Sequence, residues 1–190
     1  FSKKSLLYGQ RSQFRSQIKC YPNHLKLCGI NPAILCRYYP DMASTNLNPP
    51  PLSIYVHLPW CEKKCPYCDF NSHTIKNIVP EHDYLEALIV DLEQEKNFIQ
   101  DRPIHSIFIG GGTPSLFSPA TIGRLLNMIS KFGAFGPEVE ITLEANPGSS
   151  EVTRFAGYRA AGINRLSLGV QSFSDEKLLS LGRVHNGDKA

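Results

Sequence analysis

No run of about 18 consecutive apolar residues occurs in the chain, so no membrane-spanning helix is expected. No secretory signal peptide opens it either, which argues against an extracellular disulfide framework for its six cysteines. Acidic residues are missing from the first forty positions, which hold seven basic ones (Lys3, Lys4, Arg11, Arg15, Lys19, Lys26 and Arg37). The remainder carries 13 Lys/Arg against 17 Asp/Glu, a net of −4, although the whole chain is +3. A mildly acidic body does not point to a nucleic-acid partner. Charge is modest at 19%, but hydrophobic content is 42% and the length is 190 residues. That is enough apolar material for one domain with a core, and it excludes wholesale disorder.

Residues 1–41 read as different material from the rest. They are basic and show no clear hydrophobic period, and Tyr21-Pro22, Asn31-Pro32 and Tyr39-Pro40 would interrupt an amphipathic helix. Cys20, Cys28 and Cys36 recur every eight residues, which matches neither a compact metal site nor one helix face, and they read as incidental. Translation starting at Met42 would make the preceding residues untranslated upstream sequence. The alternative is a presequence, since an acid-poor, Arg- and Ser-containing stretch also suits a transit peptide. Residues 42–51 form a short leader ending in Pro49-Pro50-Pro51.

From residue 52 strands and helices alternate. Strands are predicted at Leu52–Leu58, Ile104–Ile109, Val139–Leu143 and Arg165–Gly169. Helices are predicted at Glu81–Phe98, from Ser118-Pro119 onward, at Ser150–Ala161, and from a Ser174 cap through Leu181. Four such units imply a parallel α/β sheet with right-handed crossovers. Periodicity does not separate an open doubly wound sheet from a barrel. In both, the working site lies at the carboxyl ends of the strands. The unusual motifs all fall there: a cysteine loop, then Gly110-Gly111-Gly112-Thr113-Pro114, then Glu144-Ala145-Asn146-Pro147, then Gln171-Ser172-Phe173.

The cysteine loop is Cys61-x3-Cys65-x2-Cys68, with Tyr67 before the last cysteine. Three thiolates this close can hold three corners of a cubane iron–sulfur cluster and leave one iron open for chemistry. Thiolate ligands suit a reducing, cytoplasm-like compartment. Structural zinc and free thiols are the alternatives. Zinc would need a fourth ligand, and His57, Asp69 or His73 could serve, but none gives the usual paired Cys-x2-Cys spacing.

Ser53-Ile-Tyr-Val-His-Leu-Pro-Trp-Cys-Glu-Lys-Lys-Cys-Pro-Tyr-Cys-Asp-Phe-Asn-Ser-His73 resembles the radical S-adenosylmethionine (SAM) enzymes, and within them the oxygen-independent coproporphyrinogen III oxidase group. The resemblance continues through Ile107–Ser115, Ile141–Gly148, Gly169–Phe173 and Leu181–Arg183, and so covers roughly residues 52–190. It implies an α/β fold, a partial (βα)6 barrel of which about four units are present. It also implies a 4Fe-4S cluster on Cys61, Cys65 and Cys68. The open iron would chelate SAM, and one electron would split the sulfonium into methionine and a 5′-deoxyadenosyl radical.

Site residues follow by matching motifs. The glycine run can let backbone approach a ligand or simply make a tight turn; the resemblance implies SAM contacts from Gly111, Gly112 and Thr113. Glu144 can accept hydrogen bonds from paired ribose hydroxyls or be a solvated strand end. Gln171 and Arg183 match polar SAM contacts, with Arg183 suited to the methionine carboxylate or else a surface arginine. Tyr55 is matched to the site and is otherwise a core tyrosine; Tyr67 is matched to adenine. His57 and His73 read more readily as hydrogen-bonded structural residues, and Lys63 and Lys64 as solvated surface.

One position separates branches of the group. The oxidases carry a fourth cysteine two residues after the third; here Asp69-Phe70 follows Cys68. The stretch is instead similar to the HemW branch of heme chaperones, which implies bound heme, a heme-receiving respiratory protein and a one-electron donor as partners. Oxidative decarboxylation of coproporphyrinogen III to protoporphyrinogen IX is the enzymatic alternative, and an inert truncated scaffold the third. The resemblance implies a carboxyl-terminal domain that is absent from residues 1–190. The expected location is cytoplasmic, or mitochondrial or plastid if residues 1–41 are a transit peptide.

Overall fold

The computed structural model describes residues 18–20, 50–99 and 102–190. Met42, most of the leader, Cys28, Cys36 and the three X-Pro breaks lie outside them. Strands β1 (Ile18–Cys20), β2 (Leu52–Leu58), β5 (Ile104–Gly111), β6 (Phe135–Ala145) and β7 (Arg165–Leu168) form one sheet in that order. β3 (Trp60–Cys61) and β4 (His73–Thr74) form a separate two-stranded piece. The helices are α1 (Glu81–Ile99), α2 (Pro119–Phe132), α3 (Ser149–Ala161) and α4 (Asp175–Ser180).

Strands β2, β5, β6 and β7 are parallel and adjacent in chain order. Every right-handed crossover then steps the same way, so all the crossover helices fall on one face. This is the winding of a (βα) barrel, incomplete at four units, and it settles what hydrophobic period left open. The doubly wound alternative would need the order to reverse.

The strands follow the same logic. Along β2, Leu52, Ile54, Val56 and Leu58 are buried while Ser53, Tyr55 and His57 alternate with them. Register places Ile54, Ile107 and Ile141 in one row and Val56, Ile109 and Leu143 in the next. These rows pack against Tyr84, Leu85, Leu88 and Leu92 of α1, Ile122, Leu125, Leu126 and Ile129 of α2, and Tyr158 of α3. The opposite face carries Tyr55, Phe108 and Thr142 in register, with Ser53, Ser106 and Glu140 below them. A parallel strand covered on both sides would read as a continuous apolar run; alternation here marks a second face not packed by helices.

Helix ends are tied into this frame. Ser118 caps α2 with its Oγ, which accepts from Thr121 N–H at 3.2 Å, and Pro119 follows at the first turn. Glu81 at the start of α1 accepts from Ser118 N–H (3.1 Å), Ser118 Oγ–H (2.7 Å) and Thr121 Oγ–H, locking the two helix starts together. Buried Tyr158 donates to Ser115 O and Phe117 O, each at 2.8 Å.

Four expectations change. Ile18–Cys20, in the stretch read as without period, supplies an edge strand antiparallel to β2; an open edge offers unpaired backbone to any β-capable segment. β6 is longer than Val139–Leu143, because Phe135 already pairs with Ile104 before the register shifts. β7 stops at Leu168. Ser174 stands at the N-cap of α4, but its side chain makes no capping bond, and the helix ends at Ser180.

Candidate functional site

The cysteine loop leaves the end of β2 and is closed at its base by β3 and β4, where Trp60 pairs with His73 and Cys61 with Thr74. Pro59 O accepts from His73 N–H at 2.7 Å and Cys61 O from Ile75 N–H at 2.9 Å. Trp60 is held beneath it, edge-on to Tyr84 with ring centroids 4.6 Å apart and beside Phe117. Lys64, read from sequence as solvated surface, instead clamps the loop: its Nζ donates to Phe70 O at 3.1 Å and Ser72 O at 3.4 Å. Cys61, Cys65 and Cys68 are free and half-buried.

The glycine run is zipped to the root of that loop. Gly112 N–H donates to Leu58 O at 2.8 Å and Thr113 N–H to Trp60 O at 2.7 Å. A methyl group on Gly112 would sit 2.5 Å from Trp60 O, so only glycine permits the approach. Gly111 has φ +115°, and a methyl there would meet the His57 ring at 2.5 Å. Gly111 N–H donates to Glu144 Oε2 at 3.1 Å. All three N–H groups are therefore committed within the protein, leaving carbonyls as the run's polar groups toward any ligand.

Glu144, at the end of β6, fills the space that Gly110 leaves open. Its Oε1 has no protein partner among the described residues. Tyr55 stacks on Phe108 and donates its hydroxyl to His57 Nδ1 at 3.0 Å. His57 Nε2 lies 2.7 Å from Asn71 O, which can only accept, so Nε2 carries the proton and Nδ1 accepts. His57 is thus a structural bridge from β2 to the cysteine loop. Burial, and then the Glu144 charge, push the Tyr55 hydroxyl up to about 12. His73 and Asp69 are exposed. Among the described residues no three Cys, His, Asp or Glu side chains converge as ligands of a single metal ion.

Arg183 joins the far end of the chain to this loop. Its Nη1 donates to Cys65 Sγ at 3.5 Å, and Nη2 donates to Asn146 Oδ1 at 2.6 Å and Gly169 O at 2.7 Å. The turn that brings it there needs Gly182, which has φ +67° and lies against Pro66. Tyr67, half-exposed, has its hydroxyl pushed up by burial and by adjacent Cys65, with Arg183 pulling the other way. Gln171 adopts φ +68°, an uncommon conformation for a residue with a side chain, beside Gly169. The structure therefore brings Tyr55 and Glu144 together, and separately Cys65, Tyr67 and Arg183. It adds Asn146, whose only sequence signal was its place in the Glu144–Pro147 motif.

Three thiols in one loop, with no fourth cysteine beside them, fit three corners of a cluster better than a closed zinc site. Arg183 Nε, buried and unpaired beside Cys65, is a donor of the kind that an absent anionic group would satisfy.

The Radical SAM superfamily profile matches residues 55–190. The chain belongs to that superfamily. The heme chaperone HemW of Haemophilus influenzae is 57% identical over 145 residues, covering 74% of this chain and 38% of that protein. HemW of Escherichia coli is 52% identical over 141 residues, covering 74% and 37%. In structure, the chain resembles coproporphyrinogen III oxidase (HemN) from Escherichia coli, a radical SAM enzyme. The TM-score is 0.65 at 31% identity, over 71% of this chain and 31% of that one. The chain thus spans under two fifths of the length of these relatives.

Proposed function

We propose that this radical SAM chain is the amino-terminal part of a heme chaperone of the HemW kind, with Cys61, Cys65 and Cys68 holding a 4Fe-4S cluster. When bound, such a cluster supplies an electron to SAM at its open iron. SAM would lie across the strand ends. Carbonyls of Gly111 and Gly112 would face its ammonium, with Thr113 beside them. The Glu144 carboxylate would accept from ribose hydroxyls. Arg183 would pair with the methionine carboxylate, and Tyr55, Tyr67 and Gln171 would line the remainder. The observation that carries this reading is Arg183 at Cys65 Sγ, fastened to the ends of both β6 and β7.

Heme as cargo is supported by the HemW similarity and by Phe70, which is 62% exposed where the oxidase group carries its fourth cysteine. An exposed phenyl ring offers apolar surface to a porphyrin face and cannot ligate iron. A one-electron donor and a heme-receiving protein would complete the system, in a reducing compartment such as the cytoplasm. The second reading, coproporphyrinogen III oxidation, draws on the structural similarity to HemN.

The test uses anaerobically reconstituted protein, both this chain and the longer protein bearing it. We expect about four iron atoms per chain, a broad brown absorption lost in Cys65→Ala, stoichiometric heme binding, and no decarboxylation of coproporphyrinogen III with SAM. Cys65→Ala keeping its full iron content would refute the cluster, and product formation would move the reading to the oxidase.

A further inference from the structure

Asn146 stands between two residues of the proposed SAM site that come from different loops. Its Oδ1 accepts from Arg183 Nη2 at 2.6 Å, and its Nδ2 donates to Thr113 Oγ1 at 3.1 Å. Both ends of the amide are in use, so its orientation is set by the network. Arg183 Nη2 also donates to Gly169 O at 2.7 Å, so two neutral acceptors grip one nitrogen. The remaining face of the guanidinium is turned to the cysteine loop, with Nη1 3.5 Å from Cys65 Sγ and Nε buried without a partner. No carboxylate lies within ion-pair distance of Arg183 among the described residues. Its charge is held in place without being spent on a protein anion.

We infer that Asn146 is a positioning residue that orients Arg183 over the cysteine loop and ties it to Thr113 at the end of the glycine run. A long arginine side chain loses considerable rotamer freedom when ordered. Prior anchoring by Asn146 removes part of that cost from ligand binding, which is how preorganisation raises affinity. Gly169 leaves room for the arrangement: a methyl group there would approach Asn146 Oδ1 at 3.3 Å and Arg183 Nη2 at 3.6 Å.

The inference rests on the SAM-binding reading, and the experiment separates the two. SAM affinity of the cluster-loaded protein is measured by calorimetry for the wild type, Asn146→Leu and Asn146→Gln, with thermal melting of each. Leucine removes both hydrogen bonds at similar volume; Asn146→Gln keeps a neutral amide that can accept from Arg183 and donate to Thr113, and leaves the charge of Arg183 unpaired. Asn146→Leu is expected to weaken SAM binding at least about tenfold, and Asn146→Gln to keep more of it, within about threefold of the wild type. Wild-type affinity in Asn146→Leu overturns the positioning role. So does an Asn146→Gln variant that melts like the wild type yet binds as weakly as Asn146→Leu. If Asn146→Leu does not fold, Asn146→Ser, too short to reach both partners, replaces it with the same expected loss. A wild-type protein that takes up iron but binds no SAM refutes the reading beneath.

Discussion

The two faces of the sheet use the same four parallel strands for different ends. On the helix side, Ile54, Val56, Ile107, Ile109 and Leu143 are almost wholly buried among side chains of α1, α2 and α3. On the other side, Tyr55, His57 and Glu144 present hydroxyl, imidazole and carboxylate groups linked by hydrogen bonds and charge. Period-two alternation puts both sets on β2 and β6. Apolar burial stabilises the frame, and the polar face can therefore carry groups that contribute little to folding.

That division makes ordered predictions about stability. The largest cost falls on the packed face. Ile109→Ala should destabilise by about 2–5 kcal/mol in denaturant unfolding, because the rows above and below it cannot collapse into the cavity. A loss no greater than that of an open-face substitution would break the comparison. Gly111→Ala comes next, at about 1–3 kcal/mol, since φ +115° strains any side chain and the new methyl meets the His57 ring. If it is neutral, the glycine run is not under the constraint described.

Tyr55→Phe should cost about 1 kcal/mol by leaving His57 Nδ1 without its donor. It should also alter the alkaline limb of stability. The Tyr55 hydroxyl rises from 10.0 to about 12 on folding, so the folded state favours its neutral form. The resulting stability is fully present below pH 10 and is lost as pH climbs through 12. Unfolding curves of the wild type should fall faster than those of Tyr55→Phe across this window; parallel curves would remove Tyr55 from the account.

The smallest stability effect is expected of Glu144→Gln, within about 0.5 kcal/mol, because the amide oxygen still accepts from Gly111 N–H. The same change should weaken SAM binding about tenfold or more in calorimetry, as the proposed ribose acceptor loses its charge. Large destabilisation with unchanged affinity would invert the assignment of the two faces.

Much of this was legible beforehand. The helices at Glu81, Pro119 and Ser149 and the strand at Leu52 follow from spacing and capping residues. The cysteine triplet stood out through local density alone. Lys64 and His57 were less legible, because their partners are loop carbonyls at Phe70, Ser72 and Asn71, whose directions depend on how the loop closes. The glycine run reads either as backbone that approaches a ligand or as a tight turn; in the fold its N–H groups serve the root of the cysteine loop and Glu144. That choice depends on neighbouring strands, not on glycine itself.

By itself the sequence determined the strand–helix alternation, the polar and apolar sides of each strand, and three thiols with a phenylalanine where a fourth would stand. Those properties arise from chain-local spacing and survive in any arrangement of the units. Tertiary structure alone decided that the units wind in one direction as a partial barrel. It also decided that Arg183 reaches Cys65 across 118 positions of chain and that Asn146 holds it there. Strand order and loop direction are set by packing among distant residues, and no local period encodes them.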